Sequence, residues 1–279
     1  ELFYAFQNAR AVVAGEAYFR RSAVGNQKQN AVDIWNLRDE AFLENIQHTL
    51  AFLERRQNER PAHVAIWTHN SHAGDICPRT VRVSNGYKTY NNLCHLSSQA
   101  FGGESIYSIG MLTYNGSVRA SKEWGSPDQV MELTPAFEGS HEYLLHTISK
   151  SCRRENGVGI DMNTDSNNSN SKHSSDATAA QELFGMDRVE RFVGVSYAPQ
   201  TELQSHYNVC NLRQQFDFVI HVDRSTALRV DSAGKRNGKT MKDYSVSSPP
   251  RDRMLLDKYG FDIIYKDLLD SPVDTATSE

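Results

Sequence analysis

Two histidines stand three positions apart in Thr68-His69-Asn70-Ser71-His72, directly after the apolar run Val64-Ala65-Ile66-Trp67. An imidazole titrates near physiological pH, so it can take or give a proton, and in its neutral form it can ligate a metal. The pair therefore leaves proton transfer, metal or cofactor binding, and a plain surface loop all open. Zinc asks for further ligands at set spacing, and none accompanies these two. The chain also has no H-E-x-x-H, no G-x-S-x-G elbow and no glycine-rich phosphate loop, so neither a metal nor a cofactor is expected. Arg38 and Asp39 read as a surface pair at the start of a helix. His206 and His221 read as structural, His221 pairing with a neighbour from within a strand.

The elements that must position these residues follow from periodicity. Residues 1 to about 22 carry Leu2, Phe3, Phe6, Ala9, Val13 and Tyr18 at three- and four-residue spacing, which predicts an amphipathic helix. Gly25 and NQKQN interrupt it. Asn36 then predicts an N-cap, with Asp39 three residues on, for a second helix reaching about Gln57. Residues 63–68 predict a buried strand, about 89–101 a helix stopped by Gly102-Gly103, and 105–112 the next strand. Strand, helix, strand at this spacing implies a parallel βαβ unit. Ligands gather beyond the carboxyl ends of such strands, which places His69, Asn70 and His72 at the rim where chemistry sits. Strands are also predicted at 129–133, 191–197 and 216–223, a helix near 139–149, and a short element or docked tail at 261–269.

The chain has 279 residues, 39% of them hydrophobic, enough for one large α/β domain or two smaller ones. A net charge of -4 gives no reason to expect nucleic acid or an anionic membrane as partner. No apolar run nears the roughly 18 residues of a membrane span. Cys77, Cys94, Cys152 and Cys210 are widely spaced without a C-x-x-C pair, the usage of reduced structural thiols in a cytoplasmic protein. Residues 150–182 are Asn/Ser-rich and nearly free of apolar side chains, so they read as a disordered surface insertion. Glu1 rather than Met opens the chain, straight into helix-forming sequence, so the true start is expected upstream.

The segments QNARAVVAGEAYFRR, DIWNLRDEAFLENIQ, HVAIWTHNSHAGD and GVSYAPQTELQSHYNVCNLRQQFDFVIHVDRSTAL resemble the C-terminal half of the erythromycin esterase-like proteins, in the expected order. The resemblance covers about residues 5–149 and 186–228. It implies an α/β fold, a mostly parallel sheet flanked by helices, with part of a helical lid insertion. Residues 1–30 would then end the lid, 31–149 and 183–230 would form the core, and 231–279 a linker and tail. It implies hydrolysis of an ester or macrolide lactone by an activated water. His69 and His72 carry over as site histidines and Arg38 as an anion-stabilising group, with Asn70 and Asp39 turned toward substrate.

The family's Gly-Glu-x-x-His motif, which supplies the general base, has no counterpart here: AGEAYFR has Tyr18 and Phe19 where the histidine would fall. The expected partner is thus the missing N-terminal half of the same domain, and the chain alone should be a poor esterase. An inactive or metal-binding relative is the alternative. Deleting about 155–180 should leave the melting temperature nearly unchanged, because loop length alone costs only about 0.6 kcal/mol per doubling.

Overall fold

A parallel strand pair lies at the centre of the sheet, and the helices that carry the histidines pack beside it. The computed structural model describes residues 1–23, 27–58, 60–75, 79–83, 86–123, 125–153, 156–163 and 182–228. Helix α1 (Leu2–Ala23) and helix α2 (Gln27–Arg56) form an antiparallel pair closed by Phe3 stacked on Phe52 at 4.0 Å and by Arg21–Asp33 at 2.9 Å. α1 buries none of its residues.

The expected N-cap at Asn36 is corrected: α2 already begins at Gln27, so Asn36 lies inside it. Its amide instead donates to Thr89 O at 2.9 Å and accepts from Asn91 N at 3.0 Å. Asn side chains favour caps because they bind nearby backbone. Here that backbone belongs to other elements, the strand residue Thr89 and the lead-in to α4 (Leu93–Phe101) at Asn91. Asn92 caps α4 by accepting from His95 N at 3.0 Å, and Gly102, at φ 86, ends it where the sequence places the stop.

The strands are β1 (Arg79–Val83), β2 (Gly86–Tyr90), β3 (Ile109–Ala120), β4 (Gln129–Leu133), β5 (Gly157–Asp161), β6 (Arg188–Arg191), β7 (Tyr207–Cys210) and β8 (Phe218–Ser225). The main sheet has the order β4-β3-β8-β5. Only β3 and β8 run parallel, from Ile109↔Phe218 to Gly116↔Ser225; β4 and β5 pair antiparallel on either side. The fold is α/β, but the expectation of a mostly parallel sheet is corrected to a mixed one. Two antiparallel hairpin-like pairs, β1–β2 and β6–β7, stand outside it.

The expected strand at 63–68 is also corrected. Residues 60–69 adopt no regular secondary structure, and Trp67 is 91% exposed. A β-branched run shows fitness for a pleated, half-buried surface, not that a neighbour exists to pair with. On β3, the backbone of Met111 is taken by a side chain: Asn70 Nδ2 donates to Met111 O at 2.9 Å and Asn70 Oδ1 accepts from Met111 N at 3.1 Å. The βαβ unit expected through 63–68 is therefore absent among the described residues.

Part of the expected insertion at 150–182 is ordered as β5, whose Val158 and Ile160 pack against the core and whose backbone pairs with β8. The expectation that deleting about 155–180 leaves the melting temperature nearly unchanged is therefore corrected: that deletion removes a sheet strand and core side chains. Residues 164–181 and 229–279, with the expected tail element at 261–269, lie outside the described residues. The core joins Leu112 of β3 and Val219 of β8 to Leu145 of α5 (His141–Ser151), with Met162, Phe184, Leu212 and Phe216. A smaller cluster holds Ala120, Leu133 and Tyr197. The expected strand at 191–197 is corrected: β6 lies earlier, at Arg188–Arg191, and of the residues beyond it Val195 and Tyr197 bond the backbone of Ser121 without forming a strand. Cys94, Cys152 and Cys210 are free thiols, and Cys77 lies outside the described residues. Among the described residues no helix is long and apolar enough to cross a membrane.

Leu145 is fully buried, so Leu145→Ala should cost about 2–5 kcal/mol in urea unfolding. Trp67→Ala, at an exposed position, should stay within about 0.5 kcal/mol of the parent.

Candidate functional site

Helix α2 sets Trp35, Arg38, Asp39 and Phe42 at three- and four-residue spacing, so they share a face. Against that face stands the single turn α3 (Asn70–Ala73), begun by His69 in the extended region as its N-cap. Asp39 is 0% exposed, and its Oδ2 accepts from His72 Nδ1 at 2.8 Å and from Leu93 N at 2.9 Å. Leu93 is the first residue of α4, so the carboxylate also sits at a helix N-terminus, where backbone N–H groups favour negative charge. One oxygen thus ties α2, α3 and α4 together.

The partners assign the tautomer of His72. An ionised carboxylate can only accept, so Nδ1 carries the proton. Arg38 Nη2, 3.2 Å from Nε2, can only donate, so Nε2 is its acceptor. Trp35 lies parallel to the imidazole, with centroids 4.7 Å apart and planes 5° apart, and the Arg38 guanidinium sits 4.8 Å from a Trp35 ring centroid. Phe42 closes the edge at 6.0 Å. His72 is therefore fixed at both nitrogens and on one face, and its side chain is 11% exposed.

His69 is held differently. Its Nε2 faces the carbonyl of Val193 at 3.1 Å and so donates, while Nδ1 accepts from Ser71 N at 3.2 Å and meets Ser71 Oγ at 2.8 Å. Burial lowers its pKa, the Val193 carbonyl opposes that shift, and neighbouring His72 adds to it, so the ring is neutral at pH 7. The two histidines are neighbours and partly buried, but their expected place beyond the carboxyl ends of the strands is corrected. Asn70 bonds Met111, the third residue of β3, and Ala73 O accepts from Ser108 Oγ, so the segment lies beside the amino end of β3. An apolar groove on the molecule, lined by Phe3, Phe6, His48, Ala51, Phe52 and Arg55, lies between α1 and α2 and includes neither His69 nor His72.

Two of the expected assignments change. Asp39 is not turned toward substrate: it is fully enclosed and positions His72. Asn70 is committed as well, its amide donating to Met111 O and, at 3.0 Å, to Glu190 Oε1. Nor do Arg38 and Asp39 form a surface pair. Their closest approach is 3.8 Å, and each is turned to His72. Arg38, one-third exposed, keeps further N–H groups that could meet developing negative charge.

Behind Asn70 is a buried acidic cluster that sequence reasoning missed. Glu190 is fully buried; its Oε2 accepts from Cys210 Sγ at 3.1 Å, and burial, reinforced by Glu142, pushes its pKa up to about 8. Glu142 Oε1 accepts from Arg191 N at 2.7 Å while Oε2 has no hydrogen-bond partner among the described residues, and burial raises this carboxyl too. Burial lowers neighbouring His141 to about 4, its Nε2 donating to Cys210 O at 3.2 Å. RVERF offers no signal that Glu190 is inside, because an isolated Glu beside arginines reads as a solvated face. Trp35, by contrast, could have been found from its three-residue spacing to Arg38. Elsewhere His206 is structural, as expected: Nε2 accepts from Ala198 N and Nδ1 donates to Phe192 O. Among the described residues no three His, Cys, Asp or Glu side chains are grouped to hold a metal ion.

The profile of the family described as erythromycin esterase matches residues 1–225. A Bacillus cereus protein of solved structure is 16% identical, with a TM-score of 0.48 over 74% of this chain and 42% of its own. A solved succinoglycan biosynthesis protein is 14% identical, with a TM-score of 0.49 over 81% of this chain and 50% of its own. The chain thus spans half or less of the length of these two solved proteins.

Asp39→Ala leaves the His72 Nδ1–H and Leu93 N–H without their acceptor, at about 1–3 kcal/mol each, so a loss of about 2–5 kcal/mol is expected in urea unfolding. Glu190 makes stability depend on pH. Its folded pKa is about 8 against an ordinary 4.5, so between those values the folded state binds more protons than the unfolded one. Stability therefore falls as pH rises through that window. Glu190→Gln should flatten the slope, making the variant gain on its parent as unfolding is measured from about pH 5 to about pH 8.

Proposed function

The chain belongs to the erythromycin esterase family, and on that footing we propose that it supplies one wall of a hydrolase site for an ester or a macrolide lactone. The observation that carries the reading is the Asp39–His72–Arg38 series stacked on Trp35. Attack of water on an acyl carbon moves negative charge onto the carbonyl oxygen. A cation already fixed in place stabilises that charge without reorganising as it forms. Arg38 is such a cation: His72 Nε2 holds one N–H, and the Trp35 face holds the guanidinium plane. Asp39, through Nδ1, keeps the imidazole in the tautomer that accepts from Arg38. His69, neutral and carrying its proton on Nε2, is a second donor that can turn from Val193 O to substrate.

No ring nitrogen of His69 or His72 lacks a protein partner, which disfavours the alternative of a metal held by this segment. By resemblance the general base belongs to a Gly-Glu-x-x-His segment, which these 279 residues do not contain. A small-molecule substrate, opening of a macrolide ring with the loss of antibiotic potency that follows, and a cytoplasmic setting fitting the free thiols are parts of the same proposal.

The test is erythromycin hydrolysis by the 279-residue chain, alone and mixed with an N-terminal family segment bearing Gly-Glu-x-x-His. A general base contributes about 10²–10⁴-fold, so turnover should appear only with the segment. Arg38→Ala should then lower kcat by about 10²–10³-fold, the scale for losing one oxyanion donor. Equal turnover by the chain alone, or no loss in Arg38→Ala, would overturn the assignment.

A further inference from the structure

His72, His95 and His146 each present Nδ1 to a carboxylate, the arrangement that orients an imidazole for proton transfer. They differ at the other nitrogen. Arg38 Nη2 meets Nε2 of His72 at 3.2 Å, and Gln99 Nε2 meets Nε2 of His95 at 2.9 Å. On His146 no described group hydrogen-bonds Nε2, and the side chain is 21% exposed. The sequence gives this histidine no distinguishing mark. It lies in the middle of α5, and its carboxylate partner, Asp223, comes from β8, 77 residues on.

The surroundings are built as a support. Tyr114 of β3 stacks on the His146 ring with centroids 3.7 Å apart and planes 11° apart, covering one face and fixing the ring plane. Asp223 Oδ2 also takes Lys150 Nζ at 3.3 Å, from the next turn of α5. Burial works to raise the Asp223 pKa, but His146 and Lys150 outweigh it and hold the carboxyl below its usual range. On the same strand His221 is buried, with neither ring nitrogen hydrogen-bonded among the described residues and Nε2 3.6 Å from Asp223. Burial lowers its pKa against the pull of that carboxylate, so it stays neutral and leaves the negative charge to His146 and Lys150.

We infer that His146 is the base of a second hydrolytic site, separate from the His69–His72 wall, which acts on small neutral esters. Asp223 and Lys150 cancel in charge, so the site has no excess to select an ion, and Tyr114 closes one face of the ring while Nε2 stays without a described hydrogen-bond partner. A water bound there gives one proton to Nε2 while its oxygen bonds the acyl carbon, moving the carbonyl electron pair onto oxygen. That pair returns as the bond to the alcohol oxygen breaks, and Nε2–H passes the proton to the departing alkoxide. Carboxylic acid and alcohol leave, and the imidazole is restored. Asp223 holds the imidazolium in between and takes no proton.

This inference stands without the lactone-hydrolase reading, departs from the expectation that the chain alone is a poor esterase by giving it an activity on small esters, and is tested on the 279-residue chain alone. Hydrolysis of para-nitrophenyl acetate should exceed that of free imidazole at equal concentration. It should fall by about 10²-fold in His146→Gln, with Asp223→Asn also reduced. During treatment with diethyl pyrocarbonate, the rate should be lost in step with acylation of the peptide that contains His146. A melting curve checks that His146→Gln is folded; if it is not, the modification of the parent decides. An unchanged rate in folded His146→Gln, or loss that follows acylation of a different histidine, overturns the inference.

Discussion

A single buried oxygen, Oδ2 of Asp39, holds the histidine wall in place. It is the acceptor for an imidazole from α3 and for the leading backbone N–H of α4, and it is carried by α2. Burying a carboxylate is costly unless its lone pairs are used; both partners fall on Oδ2, while Oδ1 has no hydrogen-bond partner among the described residues. The geometry propagates outward from there. With Nδ1 fixed, the ring lies flat on Trp35, Nε2 points to Arg38, and the guanidinium has one orientation. Arg38 can be preorganised only because Asp39 is hidden.

The same economy appears at α3, which is one turn long and could not persist by its own hydrogen bonds. Outside contacts hold it: Asp39 on His72, the carbonyl of Val193 on His69, Met111 and Glu190 on Asn70, and Asn92 on the carbonyl of Ser71. The buried acid behind Asn70 is thus part of how the histidines are aimed, although it is not close enough in sequence to suggest it.

Where the sequence could be read, local periodicity or punctuation carried the information. Phe3, Phe6 and Val13 mark α1, Gly102 marks the end of α4, and the alternating FDFVIHVD marks β8 within two residues. The His69–His72 pair stands out in the sequence because both residues fall in one short stretch. What was not legible depended on pairing across distance. VAIW has the composition of a buried strand and yet adopts no strand, because composition does not supply a ladder. Asn36 has the chemistry of a cap but spends it on Thr89 and Asn91. Glu190 and the carboxylate beneath His146 meet their partners only through β-register and helix docking, which no window of sequence contains.

Asn70 has a consequence for how molecules of this chain meet one another. An uncovered strand edge offers alternating donors and acceptors on which another chain can template, the usual start of sheet-to-sheet aggregation. At Met111 both backbone groups are already matched by the side-chain amide, donor to acceptor and acceptor to donor. A foreign strand must break two formed bonds before making its own there. A carboxylate or an aliphatic side chain cannot supply both halves of that match, so position 70 guards the β3 edge in a way that depends on the amide group itself.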